Sequence, residues 1–261
     1  MGPNDTQTRT RTAVAMHDRV ADRAAANATP AHLAVRDWLL VALAFSSGIY
    51  EAICFLSFGK VFSAFQTGNI VFLGLGASGT RPPAGPNPVS VVISLAAFAA
   101  GAAVAMPILK AFGAEADVRE NEVFQVWPRR VSVALGVALV LEAGFLAVWM
   151  TTSPSAGVTY TLVALNASAM GLQMNAIRSL HVPGVSTTAF TATFINLVSG
   201  ITTWSLGAPT VRRLTGAIAS LAAGAWLGDL MLSHAHTYAP LVPALVIAIV
   251  IAIASVALRQ K

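Results

Sequence analysis

Long apolar runs alternate with short polar segments over most of this chain. A run of about twenty residues is long enough to cross a hydrocarbon core about 30 Å thick as a helix that rises 1.5 Å per residue. Runs of this kind predict an all-α integral membrane protein with six membrane-spanning helices. The predicted spans are residues 38–58, 89–112, 131–152, 157–175, 216–234 and 239–258.

Two further apolar segments are broken by Thr, Ser, Gly and Asn residues. They are residues 61–78 and 185–206. Irregular backbone at membrane depth is tolerated only where protein or water shelters it. We therefore predict re-entrant or broken helical segments here. The alternative is a full span with a kink, in which Thr and Asn side chains bond to their own backbone.

In the first broken segment, the turn is predicted at residues 67–69, directly after Gln66. The Thr67 hydroxyl is able to cap a short helix, and Gly68 is able to adopt a positive φ without steric strain. Asn69 offers both a donor and an acceptor. The second broken segment offers similar polar residues, namely Thr188, Thr191 and Asn196.

The distribution of Lys and Arg favours segments that return to the side they entered. If both segments cross the membrane, 10 of the 16 basic residues lie on the side of the amino terminus. If both return, 14 of the 16 do. Because basic residues concentrate in cytoplasmic loops, the second arrangement is predicted, with both termini in the cytoplasm.

The two halves of the apolar region are similar to each other. The segment that starts at Glu51 reaches Thr67 after sixteen residues, and the segment that starts at Asn175 reaches Thr191 after sixteen. Small residues with four-residue spacing, which let helices approach closely in lipid, follow each segment: Ala97, Gly101 and Ala105, then Gly216, Ser220, Gly224 and Gly228. We predict two repeats, about 38–152 and 157–258, inverted because each has three crossings.

Composition agrees with a membrane protein. Apolar residues make up 56% of the chain and charged residues 10%, against about 25% charged in soluble domains. Residues 1–37 are polar and are expected to form a disordered cytoplasmic tail without a cleaved signal. Residues 38–258 form a single transmembrane domain, and 259–261 a cytoplasmic end.

Several functional classes lack a signal in this sequence. The net charge of +5 is spread over tails and loops, so no nucleic-acid partner is predicted. Cys54 is the single cysteine, and His234 and His236 lack a third ligand, so neither a metal site nor a cofactor is expected. No catalytic motif is present, which argues against an enzyme.

Ionisable and amide side chains inside spans are costly, and they often mark function. Glu51 lies on a small, partly polar stripe of the first span, and Glu142 lies near the centre of the third. Each acid is a candidate for proton or cation handling, or for a structural hydrogen bond. Asn166, Met170 and Gln173 form a stripe that either lines a pathway or bonds to a neighbouring helix.

A solute site near the membrane midplane would combine polar residues from both halves. The candidates are Glu51, Gln66, Thr67, Gly68, Asn69, Gln173, Asn175, Thr188, Thr191 and Asn196, with Glu142 as a further buried acid.

The stretches GIYEAICFLSFGKVFSAFQTGN and GLQMNAIRSLHVPGVSTTAFTAT resemble the YoaK family of bacterial inner-membrane proteins. The resemblance covers about residues 36–258 and implies a membrane protein with six crossings, built on a domain of unknown function. This chain departs from the family pattern at Glu51, Gln66 and Ala192, where the family has Asp, Met and Gly. The resemblance brings neither a substrate nor catalytic residues.

The sequence therefore predicts a transporter or channel for an unknown small solute in the bacterial inner membrane, with lipid as its surroundings. The alternative is a non-transporting scaffold or partner subunit, with helices packed tightly and no polar cavity. Catalysis on lipid by Glu142 ranks last because no nucleophile is recognisable. The oligomeric state is open, and a homo-oligomer is one option.

Overall fold

The structure is a computed structural model, and it describes residues 29–79, 85–114, 126–180, 182, 190–204 and 206–258. The elements in these ranges are helices. They are α1 (Pro30–Ser57), α2 (Gln66–Ala77), α3 (Pro88–Ala114), α4 (Arg129–Thr151), α5 (Ala156–Arg178), α6 (Phe190–Thr202), α7 (Ala208–His234), a 3₁₀ turn (His236–Tyr238) and α8 (Leu241–Ala257).

Five of the described segments are long and apolar enough to cross a membrane. They contain α1, α3, α4, α7 and α8. The remaining predicted span, residues 157–175, corresponds to α5. This helix has 23 residues, the same length as α4. It carries Asn166, Gln173 and Asn175, and these amide side chains lower its hydropathy. An all-helical membrane protein with at least five candidate spans is therefore confirmed.

The first helix begins at Pro30, eight residues before the predicted start of the span and inside the predicted tail. The Thr29 hydroxyl caps it by accepting a hydrogen bond from the His32 amide at 3.4 Å, and proline is well suited to the first helical turn. An apolar run marks the part of a helix that lipid covers. It does not show where a polar extension of the same helix begins.

The interruption before α2 lies earlier than the predicted turn. Residues 58–65 are not helical, Gly59 and Lys60 have φ values of 84° and 59°, and α2 begins at Gln66. Residues 67–69 are therefore helical, and the turn predicted there is wrong. Thr67 does not cap α2, because Phe65 is the N-cap residue and no side-chain cap bond is made.

Gly68 does not have the positive φ that the sequence predicts. Its role is in packing. A Cβ atom on Gly68 would lie 2.9 Å from Cδ2 of Phe62. The ring of Phe62 also stacks on Phe72 at 5.6 Å between centroids. The missing side chain thus lets α2 fold back closely on the segment that precedes it.

The segment between α1 and α3 begins and ends at the same end of the bundle, the end at which α1 finishes. The Asn87 amide, just before α3, donates a hydrogen bond of 2.9 Å to the carbonyl group of Gly59, just after α1. Between these points the chain reaches back to Glu51, about two turns before the end of α1. Helix α2 then runs outward and ends near Pro88, since a Cβ atom on Gly76 would lie 3.0 Å from that ring.

Helix α2 has 12 residues and α6 has 13, lengths of about 18–20 Å at 1.5 Å per residue. Both are shorter than a hydrocarbon core about 30 Å thick. Helix α2 packs on α3, and α6 packs on α7. Of the second broken segment of the prediction, 185–206, residues 185–189 and 205 lie outside the described residues.

Contacts between helix ends give the directions of the long helices. Helices α1 and α7 meet through Asp37 and Arg213 and, further along both helices, through the Val41 carbonyl group and Ser220, so these helices are parallel. The ends of α1 and α4 meet through Phe58 and Trp149, whose rings are 6.0 Å apart. The Trp149 indole, near the end of α4, donates to the His236 carbonyl group just before α8 at 3.1 Å. Because α3 starts where α1 ends and α8 starts where α4 ends, α1, α4 and α7 run one way, whereas α3 and α8 run the other.

Helix α5 is parallel to α3. The Ser168 hydroxyl donates to the Ala97 carbonyl at 3.1 Å, and the Asn175 amide donates to the Ala102 carbonyl at 2.8 Å. The residue numbers increase in the same direction on both helices, from Ser168 to Asn175 and from Ala97 to Ala102, so the two helices are parallel. Helix α5 is therefore antiparallel to α1.

Glycines bring two helix pairs into backbone contact. In the α3–α5 pair, a Cβ atom on Gly101 would lie 2.0 Å from the Ser168 carbonyl oxygen. In the α1–α7 pair, a Cβ atom on Gly224 would lie 2.1 Å from the Phe45 carbonyl oxygen. The close approach predicted for both small-residue stripes is confirmed at these two positions.

Candidate functional site

The Glu51 side chain on α1 binds the non-helical segment 58–65. Its carboxylate accepts hydrogen bonds from the Ser63 amide at 3.1 Å, the Ser63 hydroxyl at 3.0 Å and the Ala64 amide at 2.5 Å. The side chain is buried. Amide groups of a non-helical segment have no partners of their own, and this acid supplies them.

Asn69 performs the same task from the first turns of α2. Its Oδ1 accepts from the Phe62 amide at 3.0 Å, and its Nδ2 donates to the Phe62 carbonyl at 2.7 Å. The same Nδ2 lies 2.8 Å from Oε1 of Gln66 and 3.1 Å from Oγ of Ser94 on α3. Gln66 in turn donates to the Ser63 carbonyl at 2.7 Å. The polar residues of this stretch therefore satisfy the backbone of residues 62–64.

Gln173 joins α5 to α1. Its Nε2 donates to Oγ of Ser47 at 3.0 Å, and the Ser47 hydroxyl donates to the Leu43 carbonyl at 2.9 Å. Since the Ser47 hydrogen is used by Leu43, Gln173 has to present its amino group. Its Oε1 is then left as a buried acceptor without a hydrogen bond among the described residues.

Asn166 makes an equivalent contact seven residues earlier on α5. Its Nδ2 donates to Sγ of Cys54 at 3.3 Å, and its Oδ1 is a buried acceptor with no partner in the described ranges. Asn166, Met170 and Gln173 are all buried. The predicted stripe on this helix is therefore confirmed as one face, turned towards α1.

Glu142 faces Tyr50 in the middle of the bundle. The acid on α4 is fully buried, and it interacts with the hydroxyl group of Tyr50 on α1. The Tyr50 ring also meets Phe145, one turn along α4, edge-on at 5.8 Å. In the part of the chain that the structure describes, neither carboxylate oxygen of Glu142 has a hydrogen bond of good geometry.

The remaining predicted residues do not join this group. Thr67, Thr191 and Asn196 have exposed side chains, and Thr188 lies outside the described residues. Asn175 is partly buried and bonds to α3. The described structure therefore brings together Glu51, Gln66 and Asn69 as one cluster. The second cluster consists of Asn166, Gln173 and Glu142, which contact one face of α1 at Cys54, Ser47 and Tyr50.

The sequence analysis does not identify three residues of these two clusters. Ser63 and Ser94 bind Glu51 and Asn69, and Tyr50 faces Glu142. Isolated serines in apolar helices and loops carry no signal of their own. Tyr50 was detectable as the residue one turn from Ser47 and Cys54 on the same helix face.

Chemically, the second cluster is a set of buried oxygen acceptors between α1, α4 and α5. It suits hydrogen-bond donors and cations better than anions. Among the described residues, no three His, Cys, Asp or Glu side chains are grouped closely enough to hold a metal ion.

The family described as "Protein of unknown function (DUF1275)" matches residues 39–253, which include both clusters. The chain belongs to this family. It is also 33% identical to the "UPF0700 transmembrane protein YoaK" of Bacillus subtilis (strain 168) over 170 residues, 64% of this chain and 68% of that protein. No solved structure matches the chain. Membership of the DUF1275 family confirms the predicted resemblance, and it names no substrate.

Proposed function

We propose that this DUF1275 protein is a small-solute transporter or channel of the bacterial inner membrane. The observation that carries the proposal is a pair of buried acceptors, Asn166 Oδ1 and Gln173 Oε1, that have no hydrogen-bond partner among the described residues. The buried acid Glu142, which faces the Tyr50 hydroxyl group, contacts the same face of α1. A buried acceptor without a partner is expensive, and it is retained where a ligand, an ion or water binds. Because these groups are acceptors, the solute carries N–H or O–H groups or a positive charge.

The fold would supply the pathway through two inverted repeats. Equivalent glycines, 123 residues apart, make matching contacts. A Cβ atom on Gly48 would lie 2.2 Å from the Leu221 carbonyl oxygen, and one on Gly171 would lie 2.3 Å from that of Phe98. Helices α1 and α5 are antiparallel, as inversion requires. Discontinuous helices and a site between inverted halves are recurring features of transporters.

The close glycine contacts favour two rigid units, the α1–α7 pair and the α3–α5 pair. The units meet at α1 and α5 through hydrogen bonds between Ser47 and Gln173 and between Cys54 and Asn166. Such bonds are exchangeable for bonds to a solute at modest cost. Access would alternate when one pair rocks against the other, while α2 and α6 stay re-entrant and six helices cross.

The test is uptake by proteoliposomes of purified protein. The probes are ammonium, methylammonium, Na⁺, K⁺, urea and glycerol, each compared with protein-free liposomes. We expect at least one probe to enter faster with the protein, and Glu142→Gln and Gln173→Leu to slow that uptake about tenfold or more. The estimate follows because one hydrogen bond to a charged group is worth about 1.5–3 kcal/mol.

Asp229→Asn is the matched control, because it neutralises an exposed acid on α7. We expect its uptake to equal that of the native chain. The proposal fails if no probe enters faster than through protein-free liposomes. It also fails if folded Glu142→Gln and Gln173→Leu proteins keep the native rate.

A non-transporting scaffold or partner subunit is the second candidate. Two observations favour it: helix backbones touch at Gly101 and Gly224, and Glu51 is fully occupied by bonds to its own chain. A scaffold of this kind would leave the entry rate of all six probes equal to that of protein-free liposomes. The same measurement therefore separates the two functions.

A further inference from the structure

A second feature lies away from the buried acceptors, at the end of the bundle where α1 and α7 begin. Asp37 on α1 pairs with Arg36 at 2.9 Å and with Arg213 on α7 at 3.1 Å. The neighbouring Arg212 is exposed. Two guanidinium groups thus pair with the Asp37 carboxylate, and that of Arg212 lies exposed beside them.

An apolar groove of about 750 Å³ opens beside Arg212, between α6 and α7. Its walls include Ile201, Leu206, Val211 and Ala219, and Arg212 is its charged group. The volume and the apolar lining of the groove suit a hydrocarbon chain. A cation at the mouth of an apolar groove is the arrangement that an anionic amphiphile requires.

Arg212 also borders a smaller crevice between α1 and α7, which Trp38 lines. Trp204 lines the larger groove. The exposed fraction of the side chain is 93% for Trp204 and 63% for Trp38. Exposed tryptophans concentrate at the level of lipid headgroups. They place Arg212 at the depth where a phosphate group of the bilayer lies.

We propose that this groove binds one anionic phospholipid. The phosphate group binds the exposed guanidinium group of Arg212, and an acyl chain lies in the groove between α6 and α7. Charge complementarity selects an anionic headgroup over a zwitterionic one. The apolar walls select a lipid over a free phosphate. The site is independent of the proposed transport activity.

The test is a thermal unfolding titration of the full chain in detergent. The added lipids are phosphatidylglycerol and phosphatidylcholine with identical acyl chains, and the soluble control is glycerol phosphate. A ligand that binds only the folded state raises the midpoint as its concentration increases. We expect phosphatidylglycerol to raise the melting temperature more than phosphatidylcholine does, and glycerol phosphate to leave it unchanged.

Arg212→Gln and Ala219→Phe test the two parts of the site. The first removes the charge, and the second fills the groove at an exposed position. We expect Arg212→Gln to weaken the apparent affinity for phosphatidylglycerol about tenfold, as the loss of a charge-assisted contact implies. Ala219→Phe should weaken it as well, because the new ring takes the place of the acyl chain. Arg129→Gln, an exposed arginine at the start of α4, is the matched control and should bind as the native chain does.

Equal shifts with the two lipids would overturn the proposal, as would equal losses in Arg212→Gln and Arg129→Gln. A shift with glycerol phosphate as large as that with phosphatidylglycerol would also overturn it, because the site would then bind a free anion. Size-exclusion chromatography verifies that each variant is folded, so a loss of binding is assigned to the site.

Discussion

At the scale of residues, polar side chains in this protein serve two purposes. The side chains of Glu51 and Asn69 make most of their hydrogen bonds to the non-helical backbone next to them. Asn166 and Gln173 each keep a buried acceptor without a partner in the described ranges, and Glu142 is buried against the Tyr50 hydroxyl group. Because an acceptor of this kind costs free energy, the second set is where we expect a ligand.

Glycine at the helix crossings gives a prediction at the same scale. We expect Gly101→Ala to destabilise the protein by about 1–3 kcal/mol, the usual cost of overpacking. Its new methyl group would lie 2.0 Å from a carbonyl oxygen of α5. Thermal unfolding in detergent measures the difference.

The matched control is Gly136→Ala on α4, where a Cβ atom meets nothing within 4 Å. Alanine is the better helix former by about 1 kcal/mol, so this variant should be at least as stable as the native chain. Equal melting temperatures for the two variants would contradict the backbone contact.

At the scale of elements, α2 is a helix that cannot hold its position alone. It has 12 residues, and isolated helices of this length are marginal even in water. Its position depends on Asn69, on Glu51 from α1 and on Ser94 from α3. An interrupted helix fixed from three elements is a rigid feature despite its irregular start.

We expect Glu51→Gln and Asn69→Ala to release residues 58–65. Glutamine replaces one acceptor oxygen of Glu51 with a donor that faces other donors, and alanine leaves the Phe62 amide and carbonyl groups without partners. Hydrogen exchange followed by mass spectrometry should become about tenfold faster in this segment, since an unsatisfied buried group costs about 1–3 kcal/mol.

Thr67→Val is the control for this prediction, because Thr67 is exposed on the same helix. Its exchange should match that of the native chain. If transport occurs, it should also be lost in Glu51→Gln and Asn69→Ala at normal expression. Unchanged exchange in both variants would show that the hydrogen bonds do not hold the segment.

At the scale of the whole molecule, the helix directions fix how many times the chain would cross a bilayer. Helices α1, α4 and α7 run one way, whereas α3, α5 and α8 run the other, and α2 returns to the end at which α1 finishes. We therefore expect six crossings and both termini on the cytoplasmic side. The charge distribution gives the same answer.

Labelling of single cysteines tests this topology. In a chain with Cys54 replaced by Ala, we expect Ser78→Cys to react with a membrane-impermeant maleimide from outside, and Gly207→Cys only from inside. Ser78 is exposed at the end of α2, and unlike Gly79, with its φ of 98°, it accepts a side chain without strain. Labelling of both cysteines from one side would contradict six crossings.

The sequence by itself determined the membrane character, the approximate spans, the first broken segment and the close-packing stripes. These properties follow from residues near each other along the chain, because burial in lipid sums over a local run. The tertiary structure decided the rest. It placed the turn at residues 58–65 and paired Ser47 with Gln173, 126 residues apart. Such partners depend on which helices pack together, and no local pattern encodes that choice.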